Sequence, residues 1–382
     1  MRAFSFRTVA EVRREWGIAR RLGEALATFS PSRRVLVVTD KALMRANLLA
    51  PALSSLAQSG FVATVYDGVQ ADPPESNVTE AAELAKSCQA ELVVGFGGGS
   101  TLDVAKLASV LAVSTQPIDA LYGIGKIEGR RLPLVQIPTT SGTGSEVTNI
   151  SILSIGNSKM GIVAPQLFAD LVLLDAELTI GLPRLHTAAT GIDAMVHAIE
   201  AFTSRHLKNP VSDCLAVAAL KLLAANLLTA CETPADRGAR EAMLLGAMLA
   251  GQAFTSAPVA AVHALAYPLG GRYHIPHGIS NALMLGPVLR FNLAAATREY
   301  AELGAAIGIT GSDDAEIAGG FIAHLDALSH RSGAPMRLRD VDVLRADLPL
   351  MAKDAMEQQR LLRNNPVDVT EVDALHLYEE AY

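Results

Sequence analysis

Cysteine is scarce and unpatterned in this chain. Only three occur among its 382 residues: Cys88, Cys214 and Cys231, with no CxxC pair among them. That argues against a disulfide framework and fits a reducing, cytoplasmic setting. A long basic run is also missing and the net charge is −7, which argues against nucleic acid as the main partner. The N-terminal stretch MRAFSFRTVAEVRREWG has no apolar core of signal-peptide length. Apolar stretches near 161–182 and 241–263 are broken by charges, proline or repeated glycine, so no membrane span is expected. Low-complexity segments and short-period repeats are absent. Apolar residues are plentiful, at 50% of the chain. With this length, they imply a large core divided between two domains.

The first half alternates between two periods. RRVLVVTD (33–40), FVATVYDGV (61–69), ELVVGFGGGS (91–100), PLVQIPTT (133–140) and DLVLLD (170–175) are short apolar runs that predict strands, with RRVLVVTD and the run before the glycine turn read as buried. Helical segments lie between them, so a mostly parallel α/β sheet is expected. After Gly181-Leu182-Pro183 the character changes. Ala/Leu-rich helical runs fill 185–203, 210–230, 236–256, 258–268, 282–307, 315–331 and 370–382, and no convincing strand follows. The expected organisation is an α/β dinucleotide-binding domain over 1–183 and an all-helical metal-binding, catalytic domain over 184–382. The cleft between two such domains is the default place for a site.

GIDAMVHAIE (191–200) is the densest chemical signal. Ile192, Met195, Val196 and Ile199 form a helical apolar stripe, and Asp193 and His197, four residues apart, project from one face. Such a pair can grip a metal or serve as an ordinary helix contact. His263, in PVAAVHALAYPLGG, and His277, after a glycine break and a proline in GRYHIPHGIS, would complete one carboxylate and three imidazoles. That set suits Fe(II) or Zn(II), and ligand type does not separate them. His186, His206, His324, His330 and His376 are read as ordinary interior or surface histidines.

In the first half, GFGGGS lets Gly97, Gly98 and Gly99 bring backbone close to a ligand, and the helix beginning near Ser100 offers N–H groups to a pyrophosphate. It is not the full GxGxxG fingerprint, and a tight strand-to-helix turn explains it equally. Asp103 could simply favour the first helical turn, and Lys106 could be a phosphate contact or a solvated residue. Asp40, closing the first strand, can accept from an adenosine ribose and repel a 2′-phosphate, which predicts NAD over NADP; it can also be a turn residue. PTTSGTGSEVT (138–148) offers hydroxyls and accessible backbone at the expected ligand edge.

Four motifs, GGGSTLDVAK (97–106), PTTSGTGSEVT (138–148), ATGIDAMVHAIEAF (189–202) and HALAYPLGGRYHIPHGISNALML (263–285), together resemble the iron-containing, group III alcohol dehydrogenase family. The resemblance implies a dehydroquinate synthase-like fold and reversible hydride transfer between a primary alcohol or aldehyde and NAD. It implies Asp193, His197, His263 and His277 as metal ligands. It also implies cofactor contacts at Asp40, Gly97, Gly98, Gly99, Ser100, Thr139, Thr140, Ser145, Lys159 and Leu178, with Asp103 at a family position on the phosphate helix. The family points to a homodimer or larger homo-oligomer, for which strand edges near residues 1–10 could pair between subunits.

One departure concerns proton transfer. Many family members carry a histidine one turn after the third ligand, where this chain has Tyr267. A phenol is a poor base at neutrality, so Tyr267 either relays a proton or shapes the pocket, and His274 is the other candidate. Asn365-Pro366-Val367 also departs, since many relatives have arginine after the proline. Phe254 is a candidate pocket wall. The rival readings are a maleylacetate reductase, a dehydroquinate synthase, and a non-enzymatic metal- or nucleotide-binding protein.

Overall fold

The computed structural model describes residues 3–156 and 158–382. Contacts divide the chain into two compact units. An α/β unit comprises Thr8–Thr140 and Gly144–Ile180. A helical unit comprises Gly181–Tyr382, joined by Ser141–Thr143 and by the N-terminal residues up to Arg7. Assignment of the middle of the hydroxyl-rich loop to the helical unit was not legible in the sequence.

Among the described residues the α/β unit contains nine strands: β1 (Glu11–Arg14), β2 (Arg34–Val38), β3 (Val62–Tyr66), β4 (Leu92–Gly97), β5 (Gly123–Ile124), β6 (Leu134–Pro138), β7 (Ile150–Ile155), β8 (Ser158–Val163) and β9 (Leu171–Leu174). Its helices are α1 (Leu22–Phe29), α2 (Lys41–Arg45), α3 (Ala50–Gln58), α4 (Glu75–Ser87) and α5 (Gly99–Leu111). Six strands form one sheet in the order β1-β9-β6-β4-β2-β3, with all neighbours parallel. β2, β4 and β6 are apolar along nearly their whole length and buried, as expected of central parallel strands covered on both faces. Gly97 pairs with Pro138, so the glycine turn and the hydroxyl-rich loop leave adjacent strands side by side at their carboxyl ends. That edge is where open α/β sheets bind ligands. β5, β8 and β7 make a second, three-stranded sheet that the sequence reading did not anticipate. Its β7, ISILSI, alternates between buried and partly exposed positions rather than forming a continuous apolar run.

The helical unit contains α6 (Arg184–Thr203), α7 (Pro210–Glu232), α8 (Arg237–Ser256), α9 (Ala261–Tyr273), α10 (His277–Ala306), α11 (Asp314–Ser332), α12 (Leu348–Ala355), α13 (Gln359–Leu362) and α14 (Glu371–Ala381). No strand follows β9 among the described residues. α12 and α13 are too short to give a periodic signal and were not expected. α6 is the hub: it packs against α7, α8 and α10 and is buried almost all round. Any polar side chain on it must therefore find partners inside the core. α7 is long and apolar enough to cross a membrane by length and composition, but its buried face packs on α6 and α8, and core helices meet the same criterion.

Candidate metal centre and glycine turn

α6, α9 and α10 bring four ligand atoms together. Asp193 and His197 lie one turn apart on α6, His263 lies in the first turn of α9, and His277 is the first residue of α10. The approach of α10 depends on local backbone chemistry. α9 ends on His274 in the left-handed conformation, and Pro276 then caps α10. A Cβ on Gly278 would lie 2.5 Å from the Ala189 carbonyl oxygen, so only glycine lets the first turn of α10 press against α6.

One atom from each of the four residues lies within 4.8 Å of all the others. Asp193 Oδ1 is 4.0 Å from His197 Nε2, 3.9 Å from His263 Nε2 and 3.7 Å from His277 Nε2; His197 Nε2 and His263 Nε2 are 3.0 Å apart. Donors about 2.1 Å from one cation stand ~3.0–3.4 Å apart at octahedral or tetrahedral angles. Small side-chain rotations bring this set to that spacing, so the residues present fit a single divalent cation.

The electrostatics favour the liganding forms. Burial pushes His197 down to about 4 against the pull of Asp193, so its imidazole is neutral at ordinary pH. Burial also raises Asp193, but the three imidazoles and the Asn281 amide outweigh it and hold the carboxyl below its usual value. Phe254 stacks on His197 at 4.4 Å between ring centroids, and the Tyr267 ring lies 6.2 Å from that of His277. His277 is the most exposed of the four. His274 is exposed at the end of α9 and contributes no atom to the ligand group.

Two side chains in the quoted motifs had no role in the sequence reading. Glu200 lies three residues after His197 on the same face of α6. It is buried and accepts from His263 Nδ1 at 2.6 Å, Ala260 N at 2.9 Å and Val262 N at 2.7 Å. Asn281 lies one turn after His277 and is fully buried; it donates from Nδ2 to Asp193 Oδ1 at 2.6 Å. The i+3 and i+4 spacings were the available signal. Glutamate and asparagine at such spacings are too common in helices to be assigned from sequence.

At the glycine turn, β4 passes into α5 with Gly98 as the N-cap and no side-chain cap. The N–H groups of Gly99, Ser100 and Thr101 therefore have no intrahelical partner. A Cβ on Gly97 would lie 2.6 Å from the Thr101 side chain. Thr139 is buried and its N–H donates to Gly97 O at 3.0 Å; Thr140 is partly exposed beside Gly98. Asp40 caps α2, accepting from Ala42 N at 2.8 Å and Leu43 N at 3.0 Å through Oδ1 alone.

The other expected cofactor contacts are engaged within the protein. Lys106 is fully buried, with its ammonium 2.7 Å from Ser145 Oγ, 3.0 Å from Thr148 Oγ1, 2.7 Å from Ile150 O and 3.3 Å from Asp103 Oδ1. Burial pushes it below its ordinary value against the pull of Asp103. Lys106 is therefore not a solvated residue, and four oxygens take up its three N–H groups. Ser145 Oγ donates to Asp103 Oδ1 at 2.6 Å, and Ile152 N donates to Asp103 Oδ2 at 2.9 Å. Lys159 pairs with Asp72 at 2.6 Å, and Leu178 is buried in the apolar cluster of the α/β unit.

Comparison with known proteins agrees with this arrangement. Residues 10–176 match the model of the iron-containing alcohol dehydrogenases, and residues 187–382 match that of the C-terminal part of the Fe-containing alcohol dehydrogenase family. Long-chain-alcohol dehydrogenase 1 of Geobacillus thermodenitrificans is 41% identical over 92% of this chain and 90% of its own length. The crystal structure of a 1,3-propanediol oxidoreductase superposes with a TM-score of 0.95 at 33% identity, covering 100% of both chains. That of sulfoacetaldehyde reductase from Bifidobacterium kashiwanohense, in complex with NAD+, superposes at 0.90 with 28% identity, covering 100% of this chain and 99% of that one. With both halves matched in order and four side chains able to hold a metal converging in the second, the chain belongs to the iron-containing alcohol dehydrogenase family and is an oxidoreductase acting on CH–OH donors.

Proposed function

We propose that this protein interconverts primary alcohols and aldehydes with NAD, using iron held by Asp193, His197, His263 and His277; zinc is the alternative the same donors permit. The observation that carries this reading is the convergence of those four ligand atoms from three helices. When bound, the cation supplies a Lewis acid for the substrate oxygen and NAD a hydride acceptor. The helical unit then contributes a dry, preorganised site. Neutral His197 and ionised Asp193 present lone pairs without a deprotonation step, and Phe254 closes one side by stacking on His197. Tyr267 shapes the pocket beside His277, a reading supported by the 6.2 Å between their rings, and exposed His274 is the other candidate for proton transfer.

The α/β unit takes the dinucleotide. Its diphosphate is met by the N–H groups at the start of α5, Gly99 and Ser100, which Gly97 and Gly98 leave open by carrying no side chain, and the hydroxyl loop contributes Thr139 and Thr140. Among the described residues, both capping bonds of Asp40 fall on Oδ1, which leaves its second oxygen for the ribose. Asp103, Ser145 and Lys159 act from within, by fixing the loop. The names of the relatives, which include a long-chain-alcohol dehydrogenase and a 1,3-propanediol oxidoreductase, support an alcohol substrate. β1 and β3 at the sheet edges each have an unpaired side, which supports assembly as a homodimer or larger homo-oligomer. The three free cysteines support a cytoplasmic setting.

The test is His263→Ala. Metal retention by elemental analysis and turnover of a primary alcohol are both expected to fall to background while NAD binding stays measurable. Full activity in a variant shown to be metal-free would refute the reading.

A further inference from the structure

We infer that Glu200 is the positioning residue that fixes which nitrogen of His263 faces the metal centre, an inference that rests on the metal-binding role just proposed. Glu200 leaves α6 one turn beyond His197 and meets the start of α9. Its Oε2 accepts from His263 Nδ1 at 2.6 Å and Ala260 N at 2.9 Å, and its Oε1 accepts from Val262 N at 2.7 Å. A carboxylate can only accept, so His263 Nδ1 must carry its proton and Nε2 presents a lone pair. It is this Nε2 that lies 3.0 Å from His197 Nε2 and 3.9 Å from Asp193 Oδ1.

The same carboxylate completes α9. That helix begins after a bend of 106° from α8, and its N-cap, Ala260, has no side chain able to accept from the first turn. Glu200 supplies the missing acceptor from another helix, with a negative group at a helix N-terminus where the peptide dipoles favour it. One side chain thus sets both where α9 starts and how its ligand is turned.

The arrangement is specific for a carboxylate because all three partners are donors. In Glu200→Gln, an amide oxygen placed at Oε2 puts the NH2 against Val262 N–H. The opposite orientation puts it against Ala260 N–H and offers His263 Nδ1 a donor, which favours the tautomer with a proton on Nε2. Either way the isosteric change disturbs the ligand.

The experiment uses the full chain stripped of metal and titrated with Zn(II) against a competing chelator, together with ¹⁵N spectra of the histidine rings, His263 being assigned by its absence in His263→Ala. Glu200→Gln is expected to weaken Zn(II) binding about 10- to 100-fold and, where the amide nitrogen takes the Oε2 position, to move His263 from the Nδ1–H toward the Nε2–H form in the metal-free protein. A helix-capping role alone would lower the melting temperature without moving the tautomer. Zn(II) affinity within twofold of the parent overturns the inference, whichever way the amide sits. Should the variant fail to fold, the parent decides. His263 must show Nδ1–H in the metal-free protein and Nε2 coordination with Zn(II); an Nε2–H form or Nδ1 coordination overturns the inference. A parent that binds no Zn(II) at all would instead count against the metal-binding reading beneath it.

Discussion

Replacing Lys106 by methionine perturbs the hydroxyl-rich loop proposed to meet the dinucleotide without touching the four candidate metal ligands, which all lie in the other unit. Methionine fills a similar volume but removes the ammonium. Asp103 keeps Ser145 Oγ at 2.6 Å and Ile152 N at 2.9 Å, so its carboxylate is not stranded. Thr148 Oγ1 and Ile150 O lose their cationic donor at 3.0 and 2.7 Å. Breaking a buried pair by removing one partner costs about 3–5 kcal/mol. The low end applies, because burying the lysine charge is itself unfavourable. About 3 kcal/mol lowers the melting temperature of a unit this size by roughly 6–12 °C. The loop must then order Ser145 and Thr148 on binding, which at about 1.4 kcal/mol weakens NAD roughly tenfold. Thermal melts and calorimetric NAD titration measure both, with metal content as the control that should not change. A melting temperature within ~2 °C of the parent and an unaltered NAD Kd would refute the assignment of Lys106 as the internal tie of this loop.

Asp40 has separable roles. Asp40→Ala should cost about 1 kcal/mol through the lost cap of α2 and shift the NAD/NADP ratio of kcat/KM toward NADP, whereas Asp40→Asn should keep the cap and still shift the ratio; an unchanged ratio in both removes the ribose role. Glu146 is buried, and burial raises its carboxyl from 4.5 to about 7, against the pull of its own backbone hydrogen bond and of Lys106. The folded state therefore holds a proton that the unfolded chain has released. This group's contribution is most favourable below pH 4.5, falls through the window up to 7, and is lower by about 3 kcal/mol above it. Denaturant titrations at pH 5 and pH 8 should show Glu146→Gln gaining stability relative to the parent at the higher pH; parallel pH dependences would contradict this.

Much of the architecture was legible because it is local. The apolar runs of β2, β4, β6 and β9 marked strands of a parallel sheet, and the change in character after Gly181-Leu182-Pro183 marked the passage from α/β to all-helical structure. β7 and β8 were missed because their apolar residues form neither a continuous run nor a strict alternation: Ser151 is buried and Met160 exposed, and the strands are defined by their pairing with each other. The same distinction holds at the sites. Four-residue spacing put Asp193 and His197 on one helix face whatever surrounded them, and three glycines after an apolar strand dictated a turn of bare backbone. Spacing along the chain says nothing, however, about the distance between helices. Packing alone brought His263 and His277 to that face, through the left-handed turn at His274 and the contact of Gly278 with Ala189. Packing also enclosed Lys106, which the sequence left as a phosphate contact or a solvated cation, and gave Glu200 three donors to accept. Periodicity within an element is fixed by backbone geometry, whereas the partners of a buried charge are fixed by whichever other elements must satisfy it.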